Sequence, residues 1–356
     1  MRLPRAVALV LLPGVLLSAC RGKVTQVLAP AAPRVIVGDA EGAARDLGRG
    51  MNFGNILEAP SEGAWGLRLS DDLFDAARAS GATTIRLPVR WSNHALATRP
   101  YTIDATFFAR VDYAVDAALS RGMRIVIDMH AHHQLDGDAL DAGEFAVDPT
   151  VVDERFVEIW RQIATRYRDR PTTVLYELYN EPHGLLTAAG WNALLSITLV
   201  AVRAIDTVHY VVVGPVNWNN ASELAHLVLP GEDHRLIVTI HNYEPFTFTH
   251  QGAAWAGMAN SPSVTCCTPA QVSQLAAPLA AAHRWRDTWN RPIWVGEFGS
   301  YSHGPYASRV TYTRTVRDSM EAHGFTWAYW EFASGFGIYD EPSHTWMAEL
   351  RDALFR

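Results

Sequence analysis

Two glutamates in this sequence stand where a carboxylate is costly unless it is put to use. Glu181 follows Leu178-Tyr179-Asn180 and precedes Pro182, and Glu297 follows Ile293-Trp294-Val295-Gly296. Each closes an apolar run, and an ionised side chain in such a place needs a partner or a task. A structural ion pair with an arginine such as Arg86 would account for either one alone; two at matching depths on different strands point to chemistry. Acetal cleavage fits that pattern. It needs a proton for the leaving oxygen and an anion beneath the developing oxocarbenium ion, and two carboxyls with separated pKa values supply both. At a separation of about 5 to 5.5 Å the second carboxylate is a nucleophile and configuration is retained.

The elements that would hold these residues alternate short apolar runs with longer amphipathic segments. The strand-like runs are Met51 to Asn55, Thr83 to Val89, Met123 to Met129, Thr173 to Tyr179, Tyr210 to Val216, Leu236 to His241, Pro292 to Glu297 and Phe325 to Glu331. Helix punctuation lies between them: Ser70 before Asp71-Asp72, Asp148 before Pro149, and Gly81, Gly122 and Gly324 at helix ends. Eight such units predict an α/β fold, a (β/α)8 TIM barrel forming a single catalytic domain over residues 45–356. An open doubly wound sheet is the alternative, but no glycine-rich phosphate loop follows the first strand. In a barrel the site forms at the C-terminal strand ends. Polar residues collect there: Asn52, Asn55 and Glu58; Arg86 and Arg90; Asp128 and His130; Asn180 and Glu181; Asn217 and Trp218; His241 and Tyr243; Glu297; Trp330 and Glu331.

Leu178-Tyr179-Asn180-Glu181-Pro182 and Trp294-Val295-Gly296-Glu297-Phe298-Gly299 resemble the acid/base and nucleophile signatures of glycoside hydrolase family 5, the cellulase and mannanase family. Further matching stretches are Gly50 to Pro60, Ile85 to Trp91, His241 to Phe246, Phe248 to Ala253 and Trp327 to Phe332. Together they are similar to the subfamily of thermophilic bacterial endoglucanases that also accept mannan. The resemblance implies a retaining endo-β-1,4-glucanase, or else a mannan- or xyloglucan-active member of the family. It implies Glu181 as acid/base, Glu297 as nucleophile, Arg86 keeping Glu297 ionised, and Asn180 donating to a sugar 2-OH. It also implies His241 beside the acid/base, Tyr243 bonded to the nucleophile, and Trp330 as the floor under the sugar. Asn55, Glu58 and His250 fall in the matching stretches as substrate-binding positions, and His130 matches the first of the histidines that the subfamily usually has at the end of the third strand. Trp218 and Trp255 are candidates for outlying subsites, because aromatic faces suit the axial C–H surfaces of β-linked glucose; core or loop packing is their plain alternative.

The chain departs from that pattern after β-strand three. The subfamily usually has two adjacent histidines there, whereas His130 is followed by Ala131 and only then by His132 and His133. Asp128 stands where asparagine is common. His132 and His133 are read as exposed loop residues, and the change bears on the choice between glucan and mannan.

Two rival functions fit parts of the sequence. His130-Ala131-His132 with Asp128, His133 and His241 could be read as ligands of a metal-dependent barrel hydrolase. Such barrels usually carry His-x-His on the first strand, and many bridge two metals with a carboxylated lysine; the only lysine here is Lys23. No metal and no cofactor are therefore expected. A binding protein on a decayed barrel would have lost a glutamate, and both remain.

A net charge of -7 and pI near 6.0 argue against nucleic acid as partner, since little counterion release is on offer. A β-linked polysaccharide or oligosaccharide is the expected partner, bound by a monomer. Arg2, Arg5 and the apolar run Ala6 to Leu17 predict an export signal over residues 1–20, too short to span a bilayer. It ends in Leu17-Ser18-Ala19-Cys20, which resembles a bacterial lipobox. Cys20 is expected to carry a lipid that ties the protein to the cell envelope; without it the protein would be secreted. Residues 21–44, rich in Ala, Pro and Val, read as a tether. Cys266 and Cys267 could form a strained vicinal disulfide or stay as two thiols; they cannot make a zinc site alone.

Overall fold

The computed structural model describes residues 36–356 apart from 142 and 143, so the expected signal, Cys20 and most of the tether lie outside the described residues. Eight parallel strands close on themselves in sequence order: β1 (Arg49–Asn52), β2 (Thr84–Val89), β3 (Arg124–Met129), β4 (Val174–Glu177), β5 (Val211–Val213), β6 (Leu236–His241), β7 (Ile293–Glu297) and β8 (Thr326–Tyr329). The predicted barrel is the observed one. The expected caps also form: the Ser70 hydroxyl accepts from Leu73 N, Asp148 accepts from Thr150 N, and Gly81, Gly122 and Gly324 take left-handed backbone.

Alternation along the strands sorts the side chains into two cores. Ile85, Leu87, Ile125, Ile127, Tyr176 and Val238 pack outward against the helices. Val126, Leu175, Val212, Ile237, Trp294 and Ala328 fill the barrel interior at its lower end, where the helix Ala40–Leu47 covers them with Ala40, Ala44 and Leu47. Fully burying one such aliphatic side chain stabilises the fold by about 1.5–3 kcal/mol. This helix corrects the predicted tether boundary at residue 44. An Asp39 side chain accepting from Gly42 N caps it, and Ile36 already bridges to Asp233. Its apolar stripe is short enough to escape a reading that seeks a longer period.

One layer higher the inward positions turn polar: Asn52, Arg86, Asp128, Glu177 and His241 are all buried. The register shifts between Ile240 and His241, which brings His241 opposite Glu297. A bulge of this kind re-aims a side chain at a strand end. The barrel thus has an apolar base that fixes its diameter and a polar upper layer that opens toward the C-terminal loops.

Candidate active site

Arg86 is the centre of the polar layer. From β2 its guanidinium donates to Glu177 through Nε and Nη2 (2.7 and 2.9 Å), to Glu297 Oε1 through Nη1 (2.6 Å), to Asn180 Oδ1 (2.7 Å) and to Asn52 Oδ1 (3.0 Å). Asp128 Oδ2 lies 3.1 Å from Nη2. The side chain is fully buried. A buried guanidinium requires such pairing, and each partner in turn is held in one rotamer. Glu177 was not predicted. It sits inside a strand run as an inward position between outward Tyr176 and Leu178, and that alternation was its only signal.

Glu297 ends β7. One oxygen takes the Arg86 donor, and the other accepts from the Tyr243 hydroxyl at 2.7 Å. Burial and the nearby Glu297 charge keep the Tyr243 hydroxyl protonated well past its ordinary range, so it stays a donor. Asn52 links the same hub to β7 by donating to Gly296 O at 2.9 Å.

Glu181, just past β4, holds φ 50. Its side chain is 23% exposed, and Oε1 meets His241 Nδ1 at 2.7 Å. His241 Nδ1 also lies 3.6 Å from Glu297 Oε2. One oxygen of each glutamate and the His241 nitrogen all fall within 4.8 Å of one another. Burial holds the Glu181 pKa above the usual carboxylate value, against the pull of His130 and Arg86. Burial also pushes His241 down to about 4, so it is neutral above that pH.

At the other wall His130 lies parallel to the Trp330 ring, 5.3 Å between centroids with 2° between planes. Its Nδ1 is 2.8 Å from Asp128 Oδ2. Asp128 is pushed up to about 8 by burial, with Arg86 opposing. Asn55 faces the cleft. Glu58 sits behind it, buried, accepting from the backbone N–H groups of Asn55 and Ile56. Glu331 is buried and pushed up to about 8.

These residues line a cleft of about 1070 Å³. Glu181, Glu297, His130, His241, Tyr243, His250, Asn55 and Trp330 border it, as do the two outlying candidates Trp218 and Trp255. The two tryptophans are 52% and 65% exposed, which removes core packing as their explanation. Trp65, Phe246, Tyr301 and Phe336 complete the walls; sequence reasoning missed them because loop aromatics carry no period. Arg86, Asn180 and Glu58 lie behind the cleft surface and hold it in place.

His132 and His133 are not the exposed loop residues expected. His132 is buried with Nε2 facing Arg155, and burial pushes it down to about 3; His133 Nδ1 lies 3.2 Å from Glu144. The chain turns inward after Ala131 because Tyr179 exchanges hydrogen bonds with the His132 backbone. The imagined metal cluster is also split: His130 and His241 face the cleft, while His132 packs outside the barrel against Phe156. Glu181, His241 and Glu297 lie close enough together to meet one cation. Glu297 already has both oxygens bound to donors, however, and the Arg86 guanidinium beside it repels a second positive charge. Cys266 and Cys267 are joined as a disulfide.

A family model described as cellulase (glycosyl hydrolase family 5) matches residues 48–335. The chain is 33% identical over 317 residues to "Endoglucanase H" of Acetivibrio thermocellus, covering 87% of this chain and 33% of that protein. Its fold superposes with a TM-score of 0.84 on Thermotoga maritima Cel5A in complex with mannotriose, at 41% identity over 89% of this chain and 100% of the other. The same protein in complex with cellobiose gives the same values. The chain spans about a third to a half of the length of the first curated relatives it matches.

Proposed function

The chain belongs to glycosyl hydrolase family 5, the cellulase family, and from that premise we propose that it is a retaining endo-β-1,4-glucanase. Glu297 attacks the anomeric carbon. Glu181 gives its proton to the leaving oxygen and then, as base, takes one from the water that releases the glycosyl-enzyme. The observation that carries this reading is the placement of the two carboxylates. One oxygen of each lies within 4.8 Å of one oxygen of the other, which suits the short spacing of a retaining pair, about 5–5.5 Å, better than the about 6.5–9.5 Å of an inverting pair that holds a water between its carboxyls.

The surroundings divide the labour between two otherwise identical groups. Glu297 has both oxygens fixed by strong donors, Arg86 on one and Tyr243 on the other. Burial favours the neutral acid at Glu181. Trp330 and the His130 ring parallel to it both border the cleft, and an aromatic face suits the C–H surface of a pyranose.

β-1,4-glucan is the favoured polymer because the named relatives include endoglucanases and a cellobiose complex. The mannotriose complex supports mannan as the second reading. Product analysis on cellulose, mixed-linkage glucan, xyloglucan and mannan, with NMR of the first anomer formed, tests both points. Release of β-anomer from glucan is expected; initial α-anomer, or no cleavage of any of the four, refutes the proposal. We also infer that Cys20 is lipidated in the cell envelope, on the strength of Leu17-Ser18-Ala19-Cys20. A Cys20→Ser variant that still partitions with membranes would rule that out.

A further inference from the structure

Asn217, Trp218 and Asn219 form a run of left-handed backbone just after β5, with φ of 59, 59 and 53. Such a conformation in three successive residues other than glycine costs free energy and survives only where the surroundings enforce it. The run has two outcomes. Trp218 projects to the cleft, and Asn219 turns into the protein, fully buried, with its Nδ2 3.3 Å from His241 Nε2. Its Oδ1 packs against Gly214, where a Cβ would come within 2.1 Å, and has no hydrogen-bond partner among the described residues.

The orientation of this amide follows from what is left unpaired. With Nδ2 toward the ring, the buried group without a partner is a carbonyl oxygen. Turned over, it would be an NH2, and orphaned buried donors are the rarer and costlier case. Asn219 therefore donates, His241 Nε2 accepts, and the single proton of the neutral ring sits on Nδ1. That nitrogen is the one 2.7 Å from Glu181 Oε1. Arg86, Glu177, Glu297 and His130 also act on His241 by charge, but none of them bonds to Nε2.

We propose that Asn219 is a positioning residue for proton transfer: by donating to His241 Nε2 it fixes the Nδ1–H tautomer, so that His241 donates to Glu181 Oε1 and the acidic proton rides on Oε2. This rests on Glu181 being the acid/base. In the opposite tautomer the Nδ1 lone pair would accept the Glu181 proton and draw it away from the leaving oxygen. With Nδ1–H in place, Glu181 Oε2 gives its proton to the glycosidic oxygen as that C–O bond breaks and the Glu297 oxygen bonds to the anomeric carbon. The same N–H then stabilises the carboxylate that takes a proton from water. Asn219 itself exchanges no proton.

Two variants test this. Asn219→Asp keeps the shape and tolerates left-handed backbone, and its ionised carboxylate can only accept, so in that form it reverses the tautomer. Asn219→Gly keeps the backbone and removes the donor. General acid catalysis contributes about 10²- to 10⁴-fold, so Asn219→Asp is expected to lower kcat/KM on cellotetraose by ~10²-fold, with Asn219→Gly in between. On 2,4-dinitrophenyl β-cellobioside, whose leaving group needs no proton, the first variant should stay within about threefold. Histidine ¹⁵N NMR, with the signal identified by its loss in His241→Phe, should place the proton on Nδ1 in the natural protein and on Nε2 in Asn219→Asp. A natural Nε2–H tautomer, or equal losses on both substrates, overturns the proposal. If the natural protein cleaves neither substrate, the proposed activity fails instead, and the NMR still decides the tautomer.

Discussion

Replacing Glu181 by glutamine keeps the volume and the hydrogen bond to His241 but removes the transferable proton. Two carboxylates within 4.8 Å of one another act in sequence, so the loss should fall unevenly on the two chemical steps. For a sugar leaving group the first step needs the acid, and its loss costs about 10²- to 10⁴-fold in kcat/KM, or roughly 3–5.5 kcal/mol of transition-state stabilisation. Dinitrophenolate leaves without help, so kcat/KM on the dinitrophenyl cellobioside should hold within about an order of magnitude. The second step still lacks its base, so kcat falls and KM falls with it as the glycosyl-enzyme accumulates. Azide, which needs no base, should restore kcat and yield a β-glycosyl azide. Because burial raises the Glu181 pKa, the natural enzyme loses activity as pH rises through that group, and the variant should lack this alkaline limb. Steady-state kinetics on cellotetraose and the aryl glycoside measure all of this. Equal losses on the two substrates, or no loss on cellotetraose, would refute the assignment.

Tyr243→Phe removes one buried hydrogen bond to the Glu297 carboxylate; at about 1.5–3 kcal/mol for a charged partner, kcat/KM should drop roughly 10- to 150-fold, and a loss under twofold would sink the claim that this bond matters. Glu331, pushed up to about 8 from 4.5, holds its proton when folded and loses it when unfolded, so stability should fall as pH rises from 4.5 to about 8. Glu331→Gln should narrow the difference in Tm between pH 5 and pH 8.5 by at least ~2 °C, with Asp128, raised to about 8, keeping part of the slope; an unchanged difference would contradict this. Dialysis against a chelator should leave activity intact, since Glu297 is bound by Arg86 and Tyr243; loss restored by a divalent cation would revive the metal reading.

The parts of the site that sequence made legible are those where local pattern and function coincide. Glu181 and Glu297 interrupt apolar runs at their ends, and β6 runs Leu236–His241 as expected because its alternation continues to the last residue. β2, β3 and β7 begin one residue later than their apolar runs and end with them, while β1, β4, β5 and β8 stop short; β5 spans only Val211–Val213, because the chain bends off the barrel to make the loops that form the cleft. Glu177 and Asn219 were hidden for a different reason. Their meaning lies in partners far along the chain, Arg86 at 91 residues and His241 at 22. His132 was misjudged because a polar residue after a strand is ordinarily solvated, and only the packing of Phe156 and Arg155 shows that it is enclosed.

The most direct test is covalent. Incubation with a 2-deoxy-2-fluoro-β-cellobioside bearing a dinitrophenyl leaving group should trap one fluorinated cellobiosyl group per protein, and peptide mass spectrometry should find it on Glu297. A label on any other residue, or no adduct together with initial α-anomer from glucan, would contradict the account.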